Sequence, residues 1–144
     1  MADIRHKAYS AAIATALSTE LNSLANNAAS AASAAIDNSS ALDLMADLTL
    51  TLATQGTARN AGATVVVYLI PATDGTNYDD ALAAGNEIAA VFSLDAATTA
   101  RQLTRRDVAI PPGQFKLMAV NLTGQALAAS GNLLEYRPHS LQSA

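Results

Sequence analysis

Apolar and polar positions alternate most regularly at residues 44–52. Leu44, Ala46, Leu48, Leu50 and Leu52 point one way, and Met45, Asp47, Thr49 and Thr51 point the other. That period of two predicts a half-buried strand of an antiparallel sheet. Residues 64–70 (TVVVYLI) are β-branched and apolar on both faces. They predict a strand buried on both sides or central in its sheet, ended by Pro71. Further strands are expected at 88–94, 103–110, 115–122 and 133–137. Breakers separate them at Pro111-Pro112-Gly113, at 121–124 and at Pro138.

The first part of the chain reads differently. Tyr9, Ile13, Leu17, Leu21 and Leu24 follow spacings of four, four, four and three. On a 3.6-residue period they form one apolar stripe, predicting a helix over 9–26 that stops at Asn26-Asn27. Such a stripe covers the domain's own core or docks on a neighbouring subunit. Residues 28–35 are all Ala and Ser. They are compatible with a longer helix, a small-residue edge strand or a flexible arm. Residues 36–40 read as a strand end and a turn.

The expected fold is therefore mainly β: a single antiparallel β-sandwich, jelly-roll or Ig-like, with an N-terminal helix or arm. Residues 1–40 form the helix and Ala/Ser-rich arm, and 41–144 the sandwich. About six to eight strands separated by turn clusters favour this over βαβ units.

Composition narrows the function. The chain has 144 residues and no cysteine, which excludes a disulfide framework, a thiolate metal site and a cysteine nucleophile. Net charge is −4, and charged residues make up 14% of the chain, against about 25% in an ordinary soluble domain. No basic stripe of the kind nucleic-acid binders carry is present. The apolar stretch near the N-terminus is interrupted by Ser10, Thr15, Ser18, Thr19 and Glu20. No run approaches the ~18 apolar residues of a spanning helix. Neither a targeting nor a membrane segment is expected.

Candidate chemistry is sparse. The two histidines, His6 and His139, lie near opposite ends of the sequence, a poor basis for a positioned catalytic triad. Asp74, Asn77 and Asp79, with Asp80 and the turn-permitting Gly75, place oxygen donors in one short loop. Calcium takes such donors, but the spacing does not fit an EF-hand loop. The competing reading is a turn in which Asp74 and Asn77 accept backbone N–H groups, and it is preferred. Arg101, Arg105 and Arg106 form the local basic cluster. They would meet an acidic partner surface or DNA, or guard a solvated edge strand, and the edge-strand reading is preferred. Asn121-Leu122-Thr123 matches a glycosylation triplet, which is frequent by chance. No cofactor and no enzymatic activity are expected.

Three segments together resemble a group of small structural proteins of tailed bacteriophages. They are ALDLMADLTLTLA (41–53), VVVYLIPATDGTNYDD (65–80) and PPGQFKLMAVNLTGQALAASGNLLEYRP (111–138). The resemblance covers roughly the last two-thirds of the chain. It implies a β-sandwich in a virion head decoration or cement protein, with Tyr68, Asp74, Gly75, Asn77 and Tyr78 as fold-defining residues. No catalytic residues come with it. It also implies the major capsid protein and further copies of the chain as partners, with a trimer expected from the threefold sites that capsids offer. The protein would be made in the host cytoplasm and carried on the head surface. The stripe residues Tyr9, Ile13, Leu17, Leu21 and Leu24 and the three arginines are the candidate contact residues. Two alternatives remain: a tail, neck or head-fibre component, and a carbohydrate-binding β-sandwich module.

Overall fold

The computed structural model describes residues 3–81 and 86–143. Among the described residues there are ten strands: β1 (Ile4–His6), β2 (Ala14–Leu17), β3 (Ile36–Asp37), β4 (Met45–Leu52), β5 (Thr64–Ala72), β6 (Glu87–Ser93), β7 (Arg101–Ala109), β8 (Gln114–Leu122), β9 (Leu133–His139) and β10 (Leu141–Ser143). Two four-stranded sheets run in the orders β2-β9-β4-β7 and β3-β8-β5-β6, and β1 pairs with β10 as a small separate ribbon. Every pairing is antiparallel.

The alternation in β4 sets the first sheet. Ala46, Leu48, Leu50 and Leu52 are each about 1% exposed and face inward. Opposite them, β5 contributes Val65, Val67 and Leu69, and β8 contributes Phe115, Leu117 and Ala119. These side chains from both sheets form one apolar cluster, the interior of an antiparallel β-sandwich. β5 is central, between β6 and β8, as its two-sided apolar pattern requires. It does not end at Pro71 but runs through it to Ala72. The last β5–β6 pair is Leu69↔Glu87, so Pro71 lies past the end of β6, where the missing N–H interrupts no ladder on that side. In the same way β9 continues through Pro138 to His139.

The N-terminal helix is absent. Within the predicted span 9–26, residues 14–17 are strand and Thr19–Leu21 a single 3₁₀ turn. Leu17 and Leu21 are fully buried and Leu24 packs on the core, whereas Tyr9 and Ile13 are 40% and 50% exposed. A register shift against β9 between Thr15 and Leu17, followed by the 3₁₀ turn, produces the four-residue spacing of the buried leucines. Alanine accommodates either conformation, so pairing with β9 decides. Asn27 does take a left-handed conformation (φ 62°), but in a turn between extended segments.

The Ala/Ser stretch becomes an ordered border on β8. Ser30 N donates to Ala119 O and Ser33 N to Leu117 O, both at 2.8 Å. In return Ala119 N and Leu117 N each donate to a serine Oγ, of Ser30 and Ser33 respectively, at 3.0 Å. Two hydroxyls therefore supply the acceptors that a neighbouring strand would have offered.

Two loops at one end of the sandwich are joined by Arg59, a fully buried side chain. Its guanidinium donates to Gln55 Oε1, Asp95 O, Asp95 Oδ1 and Thr99 O. Nearby, Asn121 is wholly buried. It donates to Leu24 O and Gln125 O and accepts from Thr123. The glycosylation triplet is thus an internal turn whose amide is already bonded.

Candidate functional site

Polar side chains gather on the outward face of the first sheet around Asp47. The alternation of β4 turns Asp47 away from the core. Facing it, β7 is interrupted: Leu48 pairs with Arg105 and Ala46 with Val108, so Asp47 is opposed by two residues, Arg106 and Asp107. Asp107 takes a left-handed backbone (φ 56°), as a bulge of this kind permits. Its N–H donates to Asp47 Oδ1 at 3.1 Å.

Three further groups converge on the same carboxylate. The Tyr9 hydroxyl donates to Oδ2 at 2.6 Å. His139 Nε2 lies 3.2 Å from Oδ1, and Arg106 Nε lies 3.9 Å from Oδ2. Burial pushes the Asp47 carboxyl up, but the hydrogen bonds from Tyr9, Asp107 N and His139 outweigh it and hold the group below the usual carboxylate range. The same Asp47 bond, helped by burial, raises the Tyr9 phenol. Tyr9 also stands edge-on to the His139 ring at 5.6 Å, and the Arg137 guanidinium lies 4.0 Å above the Tyr9 ring.

Two hollows flank this hub. One, of about 190 Å³, is lined by His6, Lys7, Tyr9, Asp47, Arg106, Asp107 and His139. The other, of about 300 Å³, runs along the sheet past Ile13, Thr49, Thr104 and Arg137. Thr49 and Thr104 are a cross-strand pair whose hydroxyls are 2.9 Å apart.

The residues singled out from sequence are scattered by the fold. Tyr9 and Ile13 border the polar face, whereas Leu17 and Leu21 are inside and Leu24 is packed against the core. The arginines separate along edge strand β7. Arg101 bonds Asp95, Arg105 Nε reaches Val91 O on β6, and Arg106 turns to Asp47. Asp74 closes a local turn, accepting from Thr76 N, Asn77 N and Asn77 Nδ2 at 2.7–2.9 Å. Asp74 Oδ1 takes the two backbone N–H groups and Oδ2 takes Asn77 Nδ2, so both oxygens are engaged within the turn. Asp79 is exposed, and its N–H donates to Pro71 O. The convergence of His139, Asp47 and Asp107 gave no sequence signal, because a bulge and a third strand bring them together.

No protein-family model matches the chain, and no curated protein matches it. Solved structures with some likeness include a study of CBM4 structure and function (16% identity, 77% of this chain and 69% of that one, TM-score 0.30). Another is TmCBM61 in complex with β-1,4-galactotriose (8%, 83% and 68%, TM-score 0.30). A third is the N-terminal cellulose-binding domain of β-1,4-glucanase C from Cellulomonas fimi (17%, 90% and 76%, TM-score 0.28). At these TM-scores the likeness carries no functional argument.

Proposed function

We propose that this chain is a non-catalytic structural module that docks on a protein lattice, as a decoration or cement protein of a tailed-bacteriophage head. One observation carries the docking part of this reading. Among the described residues, nine large apolar side chains are exposed, and five of them (Ile4, Leu42, Leu44, Ile88 and Leu141) share one end of the sandwich. The register places them there. β4 and β6 start at this end, β5, β7 and β9 finish at it, and β1 and β10 pair beside it. A concentration of exposed apolar groups marks an interaction surface.

The end is also built to hold its shape. Asn38, itself buried, donates to Asp43 O and Pro111 O and accepts from Asp43 N. The Asp43 carboxylate takes the hydroxyls of Ser10 and Ser140. Leu42 is 58% exposed and sits at φ 51°, a backbone conformation unfavourable for a bulky residue. The surrounding bonds sustain that cost while the side chain faces water.

The virion assignment is supported by the three-segment resemblance. The strand order supports a jelly roll, since two facing four-stranded sheets ordered β2-β9-β4-β7 and β3-β8-β5-β6 follow the double Greek key used by viral capsid and lectin domains. Weak contacts at symmetry-related lattice sites add through effective concentration. The partners in this reading are the major capsid protein and further copies of the chain.

The test is the number of copies per purified particle, read by quantitative mass spectrometry. Hundreds of copies in simple ratio to the major capsid protein support the lattice reading, and Leu44→Asp is expected to lower that occupancy strongly. About six to a dozen copies would move the protein to the neck or tail. Absence from the particle would overturn the reading.

A carbohydrate-binding module is the second reading, favoured by the polar hollow along Thr49, Thr104, Arg106 and Arg137. The aromatic residues weigh against it. Phe92 and Phe115 are buried, and the Tyr9 ring is covered by Arg137, leaving no open stacking platform there. Retention on a glycan column would favour it.

A further inference from the structure

We propose that His6, Asp107 and His139 form a binding site for a divalent transition-metal ion, zinc being the ion that best suits the donors. One ligand atom from each of the three residues lies within 4.8 Å of the other two. They arrive from three separate strands: β1, the bulge in β7, and the end of β9. Imidazole nitrogen and carboxylate oxygen are ordinary zinc ligands, bound at about 2.0–2.2 Å. Two such ligands at a tetrahedral centre stand about 3.3–3.5 Å apart, by the geometry of those bond lengths. His139 Nε2 and Asp107 Oδ1 are 3.4 Å apart, so this edge of the tetrahedron is already in place.

The surroundings fit a metal site in three further ways. His139 is 5% exposed, and its ring is braced by Tyr9, so its nitrogen is positioned before an ion arrives. The His6 and His139 ring centroids are 6.0 Å apart and tilted by 52°, so the rings are not stacked flat on each other. Asp47 Oδ1 lies 3.2 Å from the same His139 Nε2 and is fixed by the Asp107 N–H, which places it as a candidate fourth ligand. The two aspartates bring two negative charges, against Lys7 and Arg106 at the rim of the same hollow. His6 is exposed on a three-residue strand whose ladder partner is β10. A metal there would fasten β1 to the body of the sandwich.

The site fits imidazole-accepting ions and disfavours calcium and magnesium, which prefer all-oxygen shells. The experiment uses the full chain without a histidine tag. Zinc is titrated by calorimetry, and cobalt(II) is followed by its visible absorption, which reports coordination geometry. Expected are one ion per chain, an intense tetrahedral cobalt spectrum, and a rise in the melting midpoint with zinc that chelator reverses. His6→Ala and Asp107→Asn should each weaken zinc binding at least ~10-fold. His6→Ala replaces an exposed side chain, so its metal-free melting midpoint should match that of the parent. No zinc binding by the parent chain, or parental affinity in either variant, would overturn the assignment.

Discussion

Arg59 and Asp95 form an ion pair with only one member in water. The Arg59 side chain is wholly buried, Asp95 is 44% exposed, and Nη2 lies 2.9 Å from Oδ1. Asp95 also receives Arg101, so one carboxylate anchors a buried and a half-exposed guanidinium together. With Gln55 and the carbonyls of residues 95 and 99, the pair fastens the loop before β5 to the loop before β7.

Replacing Arg59 is therefore expected to be costly. Arg59→Ala removes four hydrogen bonds, leaves carbonyl groups without donors and opens a cavity. A loss of about 3 kcal/mol is expected, read as a lower urea midpoint with an unchanged slope. Arg59→Met refills volume without restoring donors and should recover only part of it. A change under about 0.5 kcal/mol in Arg59→Ala would contradict this account.

The serine border makes a second expectation. Ser30→Ala and Ser33→Ala each strip a buried backbone N–H, of Ala119 and Leu117 respectively, of its acceptor. Each change should cost about 1–3 kcal/mol, far more than an exposed Ser→Ala. Hydrogen exchange should quicken at the amides of Ala119 and Leu117 before it does so in β5. Equal protection in variant and parent would rule out the hydroxyl contacts.

Acid should find two carboxyls that resist protonation. Asp74 is held down to about 2, first by the Asn77 backbone N–H, then by the Asn77 side chain and Thr76. Asp95 is held to about 2 by hydrogen bonds from Arg101 and then Arg59. Both values lie below the ordinary Asp value of about 3.9 expected in the unfolded chain. The unfolded chain therefore takes up these protons first as pH falls. The stability the two groups contribute is complete above about pH 4 and drains away as pH falls through about 2. Carboxyl carbon shifts followed by NMR should show both midpoints well below 3.9, and ordinary midpoints would contradict the bonding described.

Much of the sandwich was legible because its strands obey a local rule. Leu48, Leu50 and Leu52 alternate with Asp47, Thr49 and Thr51, and the leucines enter the core at about 1% exposure, although Asp47 and Thr49 on the other face are largely buried too, at 9% and 8%. The Asp74 turn was legible for the same reason, since its partners Thr76 and Asn77 are sequence neighbours and Gly75 supplies the positive φ. The stripe from Tyr9 to Leu24 misled because a bulge and a 3₁₀ turn reproduce helical spacing among alanines. Only the distant partner β9 distinguishes the two. The Asp47 hub was illegible for a related reason. Its members come from β4, β7, β9 and the segment after β1, and a one-residue bulge at Asp107 turns them toward each other. Arg59 carried no pattern at all, because all its partners but Gln55 belong to a loop on the far side of β5 and β6.

The serine border has a consequence for how the second sheet meets other molecules. Along β8 the bonded positions, 117 and 119, are two residues apart, whereas along the border they are 30 and 33, three apart. The border is incommensurate with a β-strand. A strand from another molecule repeats every two residues, so it falls out of step within one repeat and finds no continuous ladder there. Beyond the border β3 is only two residues long, and at the opposite edge Arg105 Nε already takes the Val91 carbonyl of β6. Among the described residues both borders of this sheet therefore carry features that interrupt the continuous edge-to-edge pairing by which a fibre grows.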